Sequence, residues 1–143
     1  MENFEITNLQ EKDLEEAAGV FLQTFNSVGE TWNEKTSLAH IEENFVMGYS
    51  FLAKVGNKAV GVLIALPITR DKGTELFIDT VAVLPEYQAQ GVGRAMMEKA
   101  TKLAKEKGLV ALRLLASPSL KSFDWYKKLG FEESGWIEIF KEI

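Results

Sequence analysis

The residues best placed for chemistry gather in one short stretch, Gln88-Ala89-Gln90-Gly91-Val92-Gly93-Arg94. It follows an apolar run ending at Leu84 and leads into a helix-like sequence. A glycine-rich loop between strand and helix aims several unpaired backbone N–H groups at one spot, at the positive end of the helix dipole. Such a spot suits a phosphate, and glycine lets the backbone approach it with no Cβ in the way. Arg94 adds a full charge. The same residues would also serve a tight turn that packs the helix close to the sheet, and the pattern alone leaves both readings open. Two familiar phosphate patterns fail here. A P-loop continues Gly-Lys-Ser/Thr, whereas Gly93 is followed by Arg94 and Ala95. The dinucleotide fingerprint needs a third glycine where Met96 stands and an acid about 20 residues on, where the chain has Arg113.

Composition removes other chemistries. The chain of 143 residues has no cysteine and a single histidine, His40. Disulfides, thiolate metal sites and covalent cysteine catalysis are therefore absent, and neither a histidine-rich metal centre nor a Ser-His-Asp triad is expected. His40 lies in the helix-like "SLAHIEENF", where an ordinary structural or surface role is expected. A net charge of −5 argues against non-specific nucleic-acid binding, which relies on many phosphate contacts. No apolar run approaches the ~20 residues needed to span a bilayer. The start, "MENFEITNLQEKDLEE", is acidic and carries no basic-then-apolar leader, so the cytoplasm is the expected compartment.

The elements that must position the loop form one domain over residues 1–143. "FEITNL" alternates as a half-buried strand. In "EKDLEEAAGVFLQTFN", Leu14, Ala17, Ala18, Phe21, Leu22 and Phe25 share a helical face, and "WNEKTSLAHIEENF" reads as a second helix. "YSFLAKVGNKAVGVLIAL" is a hairpin turning at "GNK", and "ELFIDTVAVLP" is a further strand. From Val92 the period becomes helical until Gly108. "ALRLLAS" reads as a strand, "SLKSFDWYKKLG" as a short helix and "WIEIF" as a last strand, with room for one more at "FEE". The order β-α-α-β-β-β-α-β-α-β predicts an α/β fold with a mixed sheet and helices packed on it.

With those elements in place, a third loop pattern fits. Val81-Ala82-Val83-Leu84-Pro85-Glu86-Tyr87 followed by Gln88-Ala89-Gln90-Gly91-Val92-Gly93-Arg94, and then "SFDWYKKLGFEE" with Tyr126, Gly130 and Phe131 in register, resembles the GNAT acyltransferase superfamily over essentially the whole chain. The resemblance implies acetyl-CoA as cosubstrate, with no metal, and transfer of its acetyl group directly to an amine in a ternary complex. It implies that the backbone of 89–94 wraps the pyrophosphate of coenzyme A. The pantetheine arm would pair with Val81, Ala82 and Val83 almost as another strand would, and a backbone N–H near Val83 would serve the oxyanion. Gln88 belongs to the same cofactor segment. Tyr126 would be the proton donor to the departing thiolate, since a phenol with a reference pKa of about 10 is protonated at neutral pH. Where many relatives carry asparagine this chain has Ser119, whose shorter side chain still offers a hydroxyl to the pantetheine arm; Phe123 on the same helix would flank the cofactor.

For the base, period-2 alternation along "ELFIDTVAV" puts Glu75, Phe77, Asp79, Val81 and Val83 on one face. Asp79 is the first candidate and Glu75 the second, either acting through a water. A buried hydrogen-bonding role for Asp79 is the competing reading. Glu30, Glu34, Glu42 and Glu43 with Trp32 would make an acidic, aromatic-edged mouth for a cationic amine, or simply a solvated helix face. The acceptor expected is a small-molecule or peptide amine, with neither nucleic acid nor membrane as partner. The edge strand "WIEIF" can pair with a second copy to give a homodimer. A non-catalytic acyl-CoA sensor on the same fold, or an interaction domain whose glycine turn binds nothing, are the alternatives.

Overall fold

The computed structural model describes residues 3–143. Its elements are β1 (Glu5–Asn8), α1 (Leu14–Asn26), α2 (Glu34–Asn44), β2 (Phe51–Val55), β3 (Lys58–Arg70), β4 (Gly73–Val83), α3 (Val92–Glu106), β5 (Leu112–Arg113) and α4 (Lys121–Lys128). The five strands form one mixed sheet in the order β1-β2-β3-β4-β5. β1 to β4 pair antiparallel, and β5 joins parallel to β4 after the α3 crossover. The β2–β3 hairpin turns where the sequence indicates, with Gly56 at φ 60° supplying the positive φ of a two-residue turn.

Helices cover both faces of the sheet. α1 and α2 pack together against β3 and β4, and α3 packs on the same two strands from the opposite side. The core between them is apolar throughout: Ala17, Ala18, Val20 and Phe21 from α1, Val60, Val62, Leu63 and Ile64 from β3, and Val92, Met96, Met97 and Ala100 from α3. Gly61 allows α3 to lie close, because a Cβ there would come within 3.1 Å of Met96 and Val92 side-chain carbons. The start of α2 is fixed by a reciprocal cap. Asn33 Oδ1 accepts from the Thr36 amide at 2.8 Å, and Thr36 Oγ1 accepts from the Asn33 amide at 3.1 Å. Such a cap contributes about 1 kcal/mol, and here it also sets the rotation of the helix that carries His40.

One irregularity in β4 shapes everything around it. Ile64 of β3 pairs with Thr80 and its neighbour Ala65 pairs with Ile78, so Asp79 is an extra residue with no cross-strand partner. This is a β-bulge, and it reverses the alternation of the strand. Directly paired residues share a face: Val81 and Val83, opposite Leu63 and Gly61, lie on the α3 side, whereas Glu75 and Phe77, opposite Ile68 and Leu66, lie on the α1–α2 side. The single face expected for Glu75, Phe77, Asp79, Val81 and Val83 is therefore corrected. Period-2 reasoning holds only while the register is unbroken.

The C-terminal part differs most from expectation. The strand expected over 111–117 is reduced to Leu112–Arg113, and neither "FEE" nor "WIEIF" forms a strand. Beyond Phe77 and Arg113, β4 and the chain after β5 no longer pair, which removes the regular edge on which further strands would be built. Trp136, Ile137, Ile139 and Phe140 are left more than 80% exposed.

Candidate active site

The bulge also reverses which backbone groups of β4 face its outer edge. Before it, Leu76 N–H donates to Ala111 and Thr74 C=O accepts from Val110, so the even-numbered residues face β5. After it, Leu84 N–H donates inward to Val60, which turns the backbone groups of Val81 and Val83 outward. β5 has already ended there. The result is a wedge: a strand edge with free N–H and C=O groups, open for an extended ligand to pair with. Gln88 caps one end of it, its Nε2 donating to Val83 C=O at 2.8 Å.

The wedge leads directly into the loop. Gly91 stands at the N-cap of α3 with φ 88°, and Ala89 takes φ 60°, rare for a residue with a Cβ. Ala95 is the first residue to donate within the helix, to Gly91 C=O at 3.0 Å. The amides of Val92, Gly93 and Arg94 are consequently unpaired at the positive end of a helix of 15 residues. Gly93 faces Trp125 of α4: an added Cβ would sit 3.4 Å from the indole ring. These features fit a pyrophosphate cradle. Arg94 departs from the expected picture, since its Nε pairs with Glu98 Oε1 at 3.2 Å on the exposed side of α3.

Tyr126 lies on α4 between Trp125 and Phe131, with ring centroids 5.1 and 5.8 Å away. Burial pushes its phenol up to about 12, so it keeps its proton at every physiological pH. It lines a cavity of about 900 Å³ with Phe123 and Leu112–Pro118. Phe123 carries the Lys127 ammonium over its ring at 4.6 Å. Ser119 Oγ is 2.8 Å from Ser117 Oγ, so the serine in the place of the usual asparagine is engaged locally.

The two carboxylates of β4 have different surroundings. Glu75 is held by three guanidinium contacts: Arg113 Nε at 2.7 Å, Arg113 Nη2 at 3.0 Å and Arg70 Nε at 3.2 Å. The hydrogen bonds from Arg113 hold its pKa below the usual carboxylate range, against the opposing effect of burial. Glu75 ties β3, β4 and β5 together and has no oxygen free to collect a proton, which corrects its reading as a candidate base. Asp79 sits at the bulge. Its Oδ2 accepts from Thr80 Oγ1 and from His40 Nε2, both at 2.7 Å. An ionised carboxylate only accepts, so Nε2 is the donor, and in the neutral imidazole Nδ1 presents its lone pair.

His40, for which the sequence suggested an ordinary structural or surface role, is brought by the fold against Asp79. Its ring stacks on Phe21 at 5.2 Å and lies 5.2 Å from Trp32. Trp32 in turn is held edge-on to Phe21 at 4.6 Å, its backbone bracketed by the Asn26 amide side chain. The imidazole is thus locked on three sides, while 29% of its side chain still meets solvent. Being the only histidine was the available signal, but nothing in the local pattern places it beside a residue of another element. Around this mouth Glu34, Glu42 and Glu43 are exposed, and Glu30 Oε1 accepts from Trp32 Nε1 at 2.8 Å.

Comparison with known proteins accords with this geometry. Residues 8–131 match the family described as Acetyltransferase (GNAT) family. An uncharacterised N-acetyltransferase of Methanocaldococcus jannaschii is 24% identical, the match covering 100% of this chain and 69% of that protein. Thialysine N-epsilon-acetyltransferase of Bos taurus is 33% identical over 46% of this chain and 41% of its own length. Among solved structures, aminoglycoside N-acetyltransferase AAC(6')-Iy in complex with CoA superposes with a TM-score of 0.79 at 22% identity, covering 99% of this chain and 96% of that one. No helix among the described residues is long and apolar enough to cross a membrane.

Proposed function

The chain belongs to the Acetyltransferase (GNAT) family and is an N-acetyltransferase, and on that premise we propose how its own residues divide the work. Acetyl-CoA is the cosubstrate. Its pyrophosphate lies on the unpaired amides of the 89–94 loop, and its pantetheine arm pairs with the outward groups of Val81 and Val83, whereas those of Ala82, expected at the same arm, face β3. Ser119 and Phe123 border the same arm. The observation that carries this reading is the continuity of an open β4 edge with an uncapped helix N-terminus. One extended, anionic ligand satisfies both.

The acceptor is a primary amine that arrives as a cation past Trp32 and the glutamates of α2, attracted by charge and by the aromatic face. Before it can attack it must lose a proton, because an ammonium has no lone pair. His40 Nδ1 is the base, directly or through one water. Asp79 is a positioning residue: it fixes the tautomer and stabilises the imidazolium once the proton has arrived. The neutral amine then attacks the thioester carbonyl, and an outward N–H of β4 near Val83 supports the oxyanion. As the C–S bond breaks, Tyr126 donates its proton to the thiolate. Transfer is direct, since no cysteine is available to carry the acetyl group.

Coenzyme A thiol release, followed with a thiol reagent against a panel of polycationic, amino-acid and peptide amines, tests this reading. The protein is silent in the assay because it has no cysteine. Amine-dependent release that collapses in His40→Gln supports the scheme. Full turnover in His40→Gln would remove the base. Release with peptide amines alone would narrow the acceptor to a peptide amine.

A further inference from the structure

In a regular strand Asp79 and Thr80 would project to opposite faces of the sheet and could not touch. At the bulge they do. Thr80 pairs with Ile64, which places it on the α1–α2 side, and the supernumerary Asp79 turns its carboxylate to the same side, where His40 meets it. Thr80 Oγ1 donates to Asp79 Oδ2 at 2.7 Å. Thr80 is only 2% exposed, so water cannot stand in for that bond.

The carboxylate is consequently held unevenly. Oδ2 accepts from both Thr80 and His40, while Oδ1 has no hydrogen-bond partner among the described residues. Asp79 also lacks a cross-strand partner, so its own backbone is a weak restraint. The terminal torsion of an aspartate is broad and roughly two-fold. Left to itself, the carboxylate would turn either oxygen to the imidazole or to water. Threonine is suited to stop that rotation. Its branched Cβ restricts χ1, so a hydroxyl carried by a paired strand residue is as fixed as the strand.

We propose that Thr80 is a positioning residue for proton transfer. Bonded to Oδ2, it holds the Asp79 carboxylate against His40 Nε2, and so keeps Nδ1 turned toward the acceptor amine. The catalytic part of this inference rests on His40 as the base; the effect of Thr80 on the Asp79–His40 bond does not. Neighbouring side chains that form one functional unit thus depend on a bulge that the alternation of the sequence conceals.

Thr80→Val removes the hydroxyl and keeps the branched shape, whereas Thr80→Ser keeps the hydroxyl and removes the methyl. In single-turnover acetyl transfer Thr80→Val is expected to be slower by roughly 10-fold, within the range over which members of one hydrogen-bonded network couple, with acetyl-CoA affinity unchanged. Thr80→Ser should recover most of that rate. Adding Thr80→Val to His40→Gln should cost nothing further, because the group it positions is gone. A wild-type rate in Thr80→Val, an equal loss in Thr80→Ser, or the same loss on top of His40→Gln overturns the proposal. Thr80→Ala against Thr80→Ser makes the same comparison if the valine variant melts below the wild type.

His40 is the only histidine, so the proton on its Nε2 gives an NMR signal without ambiguity. Exchange of that proton with water should quicken by roughly 10-fold in Thr80→Val. Unchanged exchange overturns the proposal whatever turnover does. Full turnover in His40→Gln would remove the base and with it the catalytic role of Thr80, and quickened exchange in Thr80→Val would then show that the failure was the base's.

Discussion

The two halves of β4 show how one strand separates structure from chemistry. In the first half, Thr74 and Leu76 bond to the segment that becomes β5, and Glu75 is clamped by Arg113 and Arg70. In the second half the bulge at Asp79 has reversed the alternation, the edge at Val81 and Val83 is open, and the carboxylate meets a histidine and a threonine instead of guanidiniums. The two acids are four positions apart on the same strand. Their partners alone determine that one holds the sheet together while the other holds His40, the proposed base. An open edge needs a closed one beside it: the Glu75 clamp reinforces the backbone bonds that join β4 and β5 just before they part.

The contrast is broken most severely at the bulge. His40→Gln is expected to lower kcat by about 10²–10⁴-fold, the usual contribution of a general base, with acetyl-CoA affinity and melting temperature close to wild type. Tyr126→Phe comes next, with kcat lower by about 10²-fold, at the lower end of the same range because a thiolate leaves more readily than most groups. Its stability gives a second reading. The folded phenol titrates at about 12 against an ordinary 10.0, so wild-type stability is full below the ordinary value and declines as pH rises toward the folded one. Tyr126→Phe should lack that alkaline decline.

Binding without chemistry is addressed by Gly93→Val. The added side chain crowds Trp125 at the cradle, and KM for acetyl-CoA should rise by about 10-fold, a loss near 1.4 kcal/mol, with kcat largely kept. The smallest effect on turnover is expected for Glu75→Gln. Its cost falls on stability, read by urea unfolding across pH. The depressed pKa of Glu75 means that its contribution is present above the ordinary carboxylate value and is lost as pH falls through the folded one. Glu75→Gln should therefore be less stable at neutral pH, with the difference from wild type closing in acid.

What the sequence discloses depends on how local the cause is. The loop at 88–94, the hairpin at Gly56 and the helix from Val92 follow from glycine positions and periodicity within a few residues, and they are found where expected. Tyr126 is legible through its motif. The bulge is not, because "ELFIDTVAV" alternates without interruption and only the pairing with β3 shows Asp79 to be supernumerary. For the same reason Glu75 and Asp79 look alike in the sequence; Arg70, Arg113 and His40 reach them from other elements. "WIEIF" has every local property of a strand, yet a strand exists only with a partner, and among the described residues none pairs with it.

The most direct measurement of the central claim, that acetyl transfer is driven from the bulged half of β4, is single-turnover acetyl transfer in Asp79→Asn beside Glu75→Gln, with acetyl-CoA and amine both saturating. Asp79→Asn should slow the transfer step by 10²-fold or more while still binding acetyl-CoA, and Glu75→Gln should transfer at close to the wild-type rate. Equal rates in Asp79→Asn and the wild type, or a collapse confined to Glu75→Gln, would contradict the assignment of chemistry to that half of the strand.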